Sequence, residues 1–198
     1  MPETRVDLES QVKGFLPYSD MYFWRKEGRY YPAGHSNALA LTTATPSANV
    51  LLAFPLIIPV STTFDQIAIN VTTAKTGQAR LGIYRDNNNQ VYPGSLILDA
   101  GVIDTGTTGV KILSIDLTLT PGLYWAAYVT NAGPTVRAIA VGGSLPILGF
   151  DSTLGTASGV GYSISYTFNP LPQNFPSEAG VYSGAVVGIF LRVKKINQ

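Results

Sequence analysis

Between residues 64 and 130, apolar and polar positions alternate, stop at a turn and alternate again, a two-residue period that predicts half-buried strands rather than helices. FDQIAINVTTA (64–74) puts Phe64, Ile67, Ile69 and Val71 on one face and Gln66, Asn70 and Thr72 on the other, with one irregularity near Asp65. ARLGIYRD (79–86) sends Leu81 and Ile83 inward and leaves Arg80 and Arg85 to solvent or to cross-strand partners. VKILSIDLTL (110–119) sets Leu113, Ile115, Leu117 and Leu119 opposite Ile112, Ser114, Asp116 and Thr118. In LYWAAYVT (123–130), Trp125 takes the face opposite Tyr124 and Tyr128.

Turn chemistry separates these strands. Asp86, Asn87, Asn88 and Asn89 are short polar residues that bond local backbone and tolerate positive φ. Tyr92-Pro93-Gly94-Ser95 predicts a type II turn with Gly94 in the left-handed position. SLILDAGVID (95–104) reads as a strand broken at Gly101, and Thr120-Pro121-Gly122 predicts a hairpin joining the strands on either side.

The flanks are less regular. NVLLAFPLIIPV (49–60) is apolar without interruption, as a strand buried on both faces would be, and Pro55 predicts that it ends or bends there. TVRAIAVGG (135–143) is a shorter strand, SISYTF (163–168) is the one clear strand within 142–184, and AVVGIFLRVKK (185–195) is a closing strand with a basic tip. Eight or so short strands with no amphipathic helix between them predict an all-β domain, an antiparallel jelly-roll-like β-sandwich, over residues 35–198.

Residues 1–34 differ: ten of the 25 charged residues precede Tyr30, interspersed with Phe15, Tyr18, Tyr22, Phe23, Trp24, Tyr30 and Tyr31. This predicts an extended N-terminal arm, with a short helix over 19–28. Three consecutive aromatics cannot share one helix face, so Tyr22, Phe23, Trp24, Tyr30 and Tyr31 are a candidate assembly interface, packed on the parent domain's flank or on a neighbouring subunit.

Composition narrows the function. Charged residues are only 13% of the chain, against about 25% in an average soluble domain, so little charge has to be desolvated when subunits pack. A net charge of +1 provides no field for nucleic acid. The apolar run at 51–60 is about half a membrane span and contains two prolines, and no signal peptide is encoded at the N-terminus.

With no cysteine and only His35, neither a thiolate nor a His-rich metal site is expected. His35 stands in a Pro/Gly-containing stretch without a nucleophile elbow, and Asp65, Asp99, Asp104, Asp116 and Asp151 fall beside turns or on polar strand faces. No catalytic residue, metal site or cofactor is therefore assigned, and RDNNNQ (85–90) reads as a β-turn rather than a calcium loop. The remaining chemistry is that of sugar binding, where aromatic faces stack and amides and guanidinium groups bond hydroxyls. Tyr84, Arg85, Asn87, Asn88, Asn89 and Tyr92 form the candidate glycan loop, and residues 162–169 carry a similar mixture.

The motifs Leu81-Gly82-Ile83-Tyr84, Pro93-Gly94-Ser95-Leu96, Asp99-Ala100-Gly101 and the 118–125 segment TLTPGLYW follow one another within about 70 of the 198 residues. In that order they resemble a domain that recurs in bacteriophage virion proteins, especially tail-fibre and other tail or head-appendage proteins. The resemblance implies a jelly-roll-like sandwich, location in the virion with other virion proteins as partners, frequent trimeric assembly and often attachment to host surface glycans. It carries over no catalytic residue. The expectation is thus a non-enzymatic structural or decoration protein, a homo-oligomer with trimer favoured, with a carbohydrate-binding module as the alternative.

Overall fold

A computed structural model describes residues 25–34, 41–144, 147–150, 152, 154 and 159–197. Thirteen strands occur among them: β1 (Tyr30–Pro32), β2 (Leu41–Ala44), β3 (Val50–Ile58), β4 (Thr62–Thr73), β5 (Gln78–Asp86), β6 (Pro93–Asp104), β7 (Gly109–Leu119), β8 (Gly122–Thr130), β9 (Thr135–Ile139), β10 (Gly161–Ser165), β11 (Gly180–Tyr182), β12 (Val186–Val187) and β13 (Phe190–Ile196). They form two antiparallel sheets in a sandwich, so the all-β reading of the sequence holds. One sheet runs β11-β10-β3-β8-β5-β6. The other runs β1-β13-β4-β9-β12, with β2 added on β9 and β7 on the far edge of β4.

The twelve-residue β4 organises the seven-stranded sheet because it is long enough to take two neighbours along one edge. β13 pairs with Thr62–Ala68 and β9 with Val71 and Thr73, while β7 runs along the opposite edge. The irregularity expected near Asp65 is a register shift between Phe64 and Gln66. It lets Phe64 and Ile67 both face inward despite their odd spacing.

The space between the sheets is filled by Phe54, Leu56, Phe64, Ile67, Ile69, Leu81, Ile83, Tyr124 and Tyr128 with their neighbours. A second apolar cluster lies outside the sandwich, on the outward face of the six-stranded sheet: Leu51, Ala53, Tyr84, Trp125, Ala127 and Val129, covered by Leu171 and Phe175. β3 and β8 are therefore buried on both faces, which explains their unbroken apolar sequences. Side chains at alternate positions enter the two cores in turn.

Five expectations are corrected. The segment 118–125 is no hairpin: β7 pairs with β4 in one sheet, and β8 pairs with β3 and β5 in the other. Because β8 is apolar on both faces, it is best buried as a central strand, and Thr120-Pro121 carries the chain across the sandwich instead of folding it back. Nor is there a type II turn at 92–95. Pro93 already pairs with Asp86 as the first residue of β6, and Gly94 is not in the left-handed region. The reversal occurs earlier, at Asn88 (φ 50°), Asn89 (φ 62°) and Val91 (φ 54°).

β6 also runs through Gly101 rather than breaking there. Gly101 has φ 98° at a bulge that shifts the pairing between Leu81 and Gly82. Likewise β3 passes through Pro55 to Ile58, paired with β8 throughout. The proline is tolerated because β10 covers only Val50–Ala53 on the other edge. Beyond it, Gly34 N–H donates to the Pro55 carbonyl at 2.7 Å.

Residues 25–34, expected in the arm, join the sheet. β1 pairs with β13, and Ala33 is buried. Arg25 is inserted at the rim between the sheets, with its Nη2 donating to the Ile57 carbonyl at 2.8 Å and its guanidinium 5.5 Å and 5.6 Å from the Tyr31 and Phe64 ring centres. Burial lowers its pKa to about 10, partly opposed by Tyr31. The helix expected over 19–28 lies mostly outside the described residues, and its described part is a turn with Gly28 at φ 74°.

Candidate functional site

The two stretches selected for sugar chemistry, 84–92 and 162–169, meet on the outward face of the six-stranded sheet. β5 delivers Tyr84, the β5–β6 loop delivers Tyr92, β8 delivers Trp125 and β10 delivers Tyr162. The Tyr92 and Tyr162 rings lie 4.5 Å apart, and Trp125 lies 5.4 Å from Tyr162. Aromatic clusters of this kind stack on sugar rings when one face is open.

Here Tyr84 and Trp125 are covered, and Tyr92 and Tyr162 are half-buried. Residues 166–179 cross the cluster as a strap that seats Leu171 and Phe175, and Phe175 meets Tyr84 edge-on at 5.3 Å and Tyr92 at 6.2 Å. Tyr84 is fully buried, so it offers no surface for stacking. Its hydroxyl donates to the Pro172 carbonyl at 2.9 Å. Burial raises its pKa, and nearby Tyr166 and Asp99 push in the same direction.

The other hydroxyls in the cluster also bond the backbone. Tyr92 donates to the Pro176 carbonyl at 2.5 Å and accepts from Ala179 N–H at 3.1 Å. Tyr166 donates to the Pro170 carbonyl at 2.5 Å, and Tyr162 donates to the Val91 carbonyl at 3.0 Å. An aromatic body with a hydrogen-bonding tip is well suited to holding a proline-rich strap, whose prolines contribute carbonyls but no N–H groups.

Two carboxylates anchor the edges of this region. Asp86 Oδ1 accepts from Trp125 Nε1 at 2.9 Å and from Tyr92 N–H at 3.0 Å, locking the β5–β6 loop onto the cluster. Asp99 accepts Arg80 Nε on both oxygens at 2.8 Å, Gly101 N–H at 3.1 Å and Leu171 N–H at 3.0 Å. One side chain thus ties β5, the β6 bulge and the strap together.

The strap also pairs with the edge of β6, through Leu96 N–H to the Gln173 carbonyl at 2.8 Å and Phe175 N–H to the Gly94 carbonyl at 2.9 Å. Gly82 was not singled out from the sequence, yet a Cβ there would lie 2.2 Å from Leu171 Cδ1 and 2.5 Å from the Leu98 carbonyl. Its absence of a side chain makes room for the strap.

Of the candidate loop, Arg85, Asn88 and Asn89 are exposed, together with Gln90. Asn87 is half-buried and donates through Nδ2 to Gln90 Oε1 at 3.0 Å. These residues form a polar tip without an open aromatic platform. The other carboxylates considered for catalysis are spread apart: Asp65 pairs with Arg192 at 2.7 Å, Asp116 lies 3.7 Å from Lys194, and Asp104 accepts from Gly106 N–H at 3.2 Å. His35 and Asp151 lie outside the described residues. Among the described residues there is no cluster of three or more metal-ligating side chains, and no helix is long and apolar enough to cross a membrane.

Of the candidate assembly residues, Tyr22, Phe23 and Trp24 lie outside the described residues. Tyr31 packs against the inner core, and its hydroxyl accepts from Lys26 N–H at 2.6 Å. Tyr30 is exposed on the outward face of the seven-stranded sheet and hydrogen-bonds Gln66 through its hydroxyl. There, with Leu41, Ala68, Asn70, Val110 and Phe190, it lines an apolar groove of about 280 Å³. No protein-family model matches the chain, and no curated protein shows significant similarity to it.

Proposed function

We propose that the chain is a non-enzymatic structural and interaction protein of a bacteriophage virion, a tail-fibre, head-appendage or decoration component that assembles as a homo-oligomer, with trimer favoured. The observation that carries this reading is the unequal use of the two outward faces. On one, the carboxylates and phenols that would have served catalysis or sugar stacking hold the protein's own strap. On the other, an apolar groove bordered by the exposed Val110 and Tyr30 is available for protein contact. The resemblance of residues 64–128 to phage appendage domains supplies the virion setting.

Co-sedimentation tests the proposal. An epitope-tagged copy should travel with phage particles through a density gradient and be detected in the particle band. A tagged chain that stays entirely in the soluble fraction of a productive lysate would overturn the virion reading.

The exposed tip Arg85, Asn88, Asn89 and Gln90 supports a second reading, contact with host-surface glycans through hydrogen bonds alone. A glycan array probed with wild type and the R85A/N88A/N89A variant tests it. Retention that is the same for both would reject the tip as the contact.

A further inference from the structure

We infer that the outward face of the six-stranded sheet is a peptide-binding site for a partner segment of the form Leu-Pro-x-x-Phe-Pro, and that residues 171–176 of the chain's own strap occupy it as a built-in competitor. The inference stands apart from the virion reading, because it needs only the contacts on this face.

The strap is held as a ligand is held. Five backbone groups between Leu171 and Pro176 bond the domain rather than one another: Leu171 N–H donates to Asp99, the Pro172 carbonyl accepts from the Tyr84 hydroxyl, and the Gln173 carbonyl accepts from Leu96 N–H. Phe175 N–H donates to the Gly94 carbonyl, and the Pro176 carbonyl accepts from the Tyr92 hydroxyl. The segment forms no strand, only a single bridge from Asn174 to Ser95. Leu171 and Phe175 are 4% and 5% exposed, whereas Asn169, Pro170, Gln173, Asn174, Ser177 and Glu178 face solvent. Two buried anchors four residues apart, with backbone bonds to a sheet edge and to phenol hydroxyls, follow the pattern by which sheet edges and aromatic grooves recognise separate peptides.

The receiving surface is complete without the strap. Gly82, Tyr84, Tyr92, Gly94, Leu96 and Asp99 all belong to β5, β6 and the loop between them. Leu171 sits in the gap left by Gly82, and Phe175 meets Tyr84 and Tyr92 edge-on. None of residues 166–179 is part of the core between the sheets, so the sandwich does not draw on the strap for its own packing. Pro172 and Pro176 have fixed φ and no N–H to satisfy, so a segment of this kind loses little freedom when it seats.

The strap leaves β10 after Ser165 and re-enters at Gly180 of β11, its paired neighbour at the sheet edge opposite β6. It is a tethered ligand, and a short tether gives a local concentration of about millimolar. A partner segment seats by displacing the two anchors, and until then the site stays closed.

A fluorescein-labelled peptide of residues 166–179 tests the inference. It is titrated into full-length wild type and into full-length Leu171→Ser/Phe175→Ser, whose own strap lacks both anchors. Anisotropy should show the variant binding about tenfold or more tightly than wild type, since the tethered competitor has been removed. A peptide carrying the same two serines should not bind. Hydrogen exchange locates the contact: the Leu96 amide, which donates to the strap in wild type, should lose protection in the variant and regain it with peptide.

Equal binding by the two chains, equal binding of the two peptides, or binding without renewed protection at Leu96 overturns the inference. So does a folded variant that does not bind. Where the double variant does not fold, Leu171→Ala alone, with Phe175 still in place, is titrated in the same way and judged by the same outcomes.

Discussion

On the six-stranded sheet, the outward side chains of β3, β5 and β8 include Leu51, Ala53, Tyr84, Trp125, Ala127 and Val129, and a strap of the same chain covers them. On the seven-stranded sheet, outward positions of β4 and β7 include Gln66, Asn70, Ser114 and Thr118 beside Ala68, Val110 and Ile112, and Ile112 remains 48% exposed. The difference reflects how much apolar area each face must remove from water. A face carrying indole, phenol and aliphatic groups at nearly every outward position gains enough from burial, about 25 cal/mol per Å² of apolar surface, to offset the entropy lost by an ordered irregular segment. A face with scattered apolar groups does not, and no described segment covers it.

Truncation on the covered face should give the largest effect. Trp125→Ala removes the largest fully buried side chain and leaves Asp86 without its indole partner, so the cost should be about 3–5 kcal/mol in chemical denaturation. Gly82→Ala comes next. Its methyl group would displace Leu171, costing about 1–3 kcal/mol and increasing protease cleavage within 166–179. Cleavage unchanged from wild type would show that the strap does not need the gap.

Asp99→Asn should cost about 1–3 kcal/mol, because the charge-assisted bond from Arg80 is lost while the neutral amide retains some acceptor capacity. Hydrogen exchange at the Leu171 amide is the readout. A smaller effect is expected from the Asp65–Arg192 pair, which is partly exposed at the strand edge. The hydrogen bond from Arg192 holds the Asp65 carboxyl below its usual range. The unfolded state then binds the proton more readily, so the contribution is complete above the ordinary carboxylate pKa of about 3.9 and is lost as pH falls through the lower folded value. Acid unfolding of Asp65→Asn should show a shallower pH dependence than wild type.

Ile112→Thr on the bare face should change stability by no more than about 0.5 kcal/mol. A loss comparable to that from Gly82→Ala would show that the bare face is covered within the single chain, removing the contrast between the two sides.

Much of the strand structure was legible from alternation alone. The inward sets Ile67, Ile69 and Val71, Leu81 and Ile83, and Leu113 to Leu119 point where the period of two places them, and Phe64 joins them through the irregularity near Asp65. Trp125 also lies on the face opposite Tyr124 and Tyr128. Asn88 and Asn89 adopt the positive φ that their side chains tolerate. The candidate glycan loop was legible only as a loop: nothing local distinguishes an exposed tyrosine from Tyr84, because the strap that buries it is 88 residues away in sequence. The strap itself has no period to read, being held by hydroxyl-to-carbonyl bonds, by two backbone bonds to β6, by the Asp99 carboxylate and by Leu171 and Phe175.

The sequence by itself determined most of the strands between residues 50 and 130, which face of each is apolar, and that β3 needs cover on both sides. These follow from side-chain geometry within a few residues. Only the tertiary structure decided that Thr120-Pro121 crosses between sheets, that Asp99 joins three segments, and that one outward face is sealed by a strap while no described segment covers the other. A turn motif specifies a change of direction without naming the sheet that receives the next strand, and that choice depends on which distant surfaces most need burial.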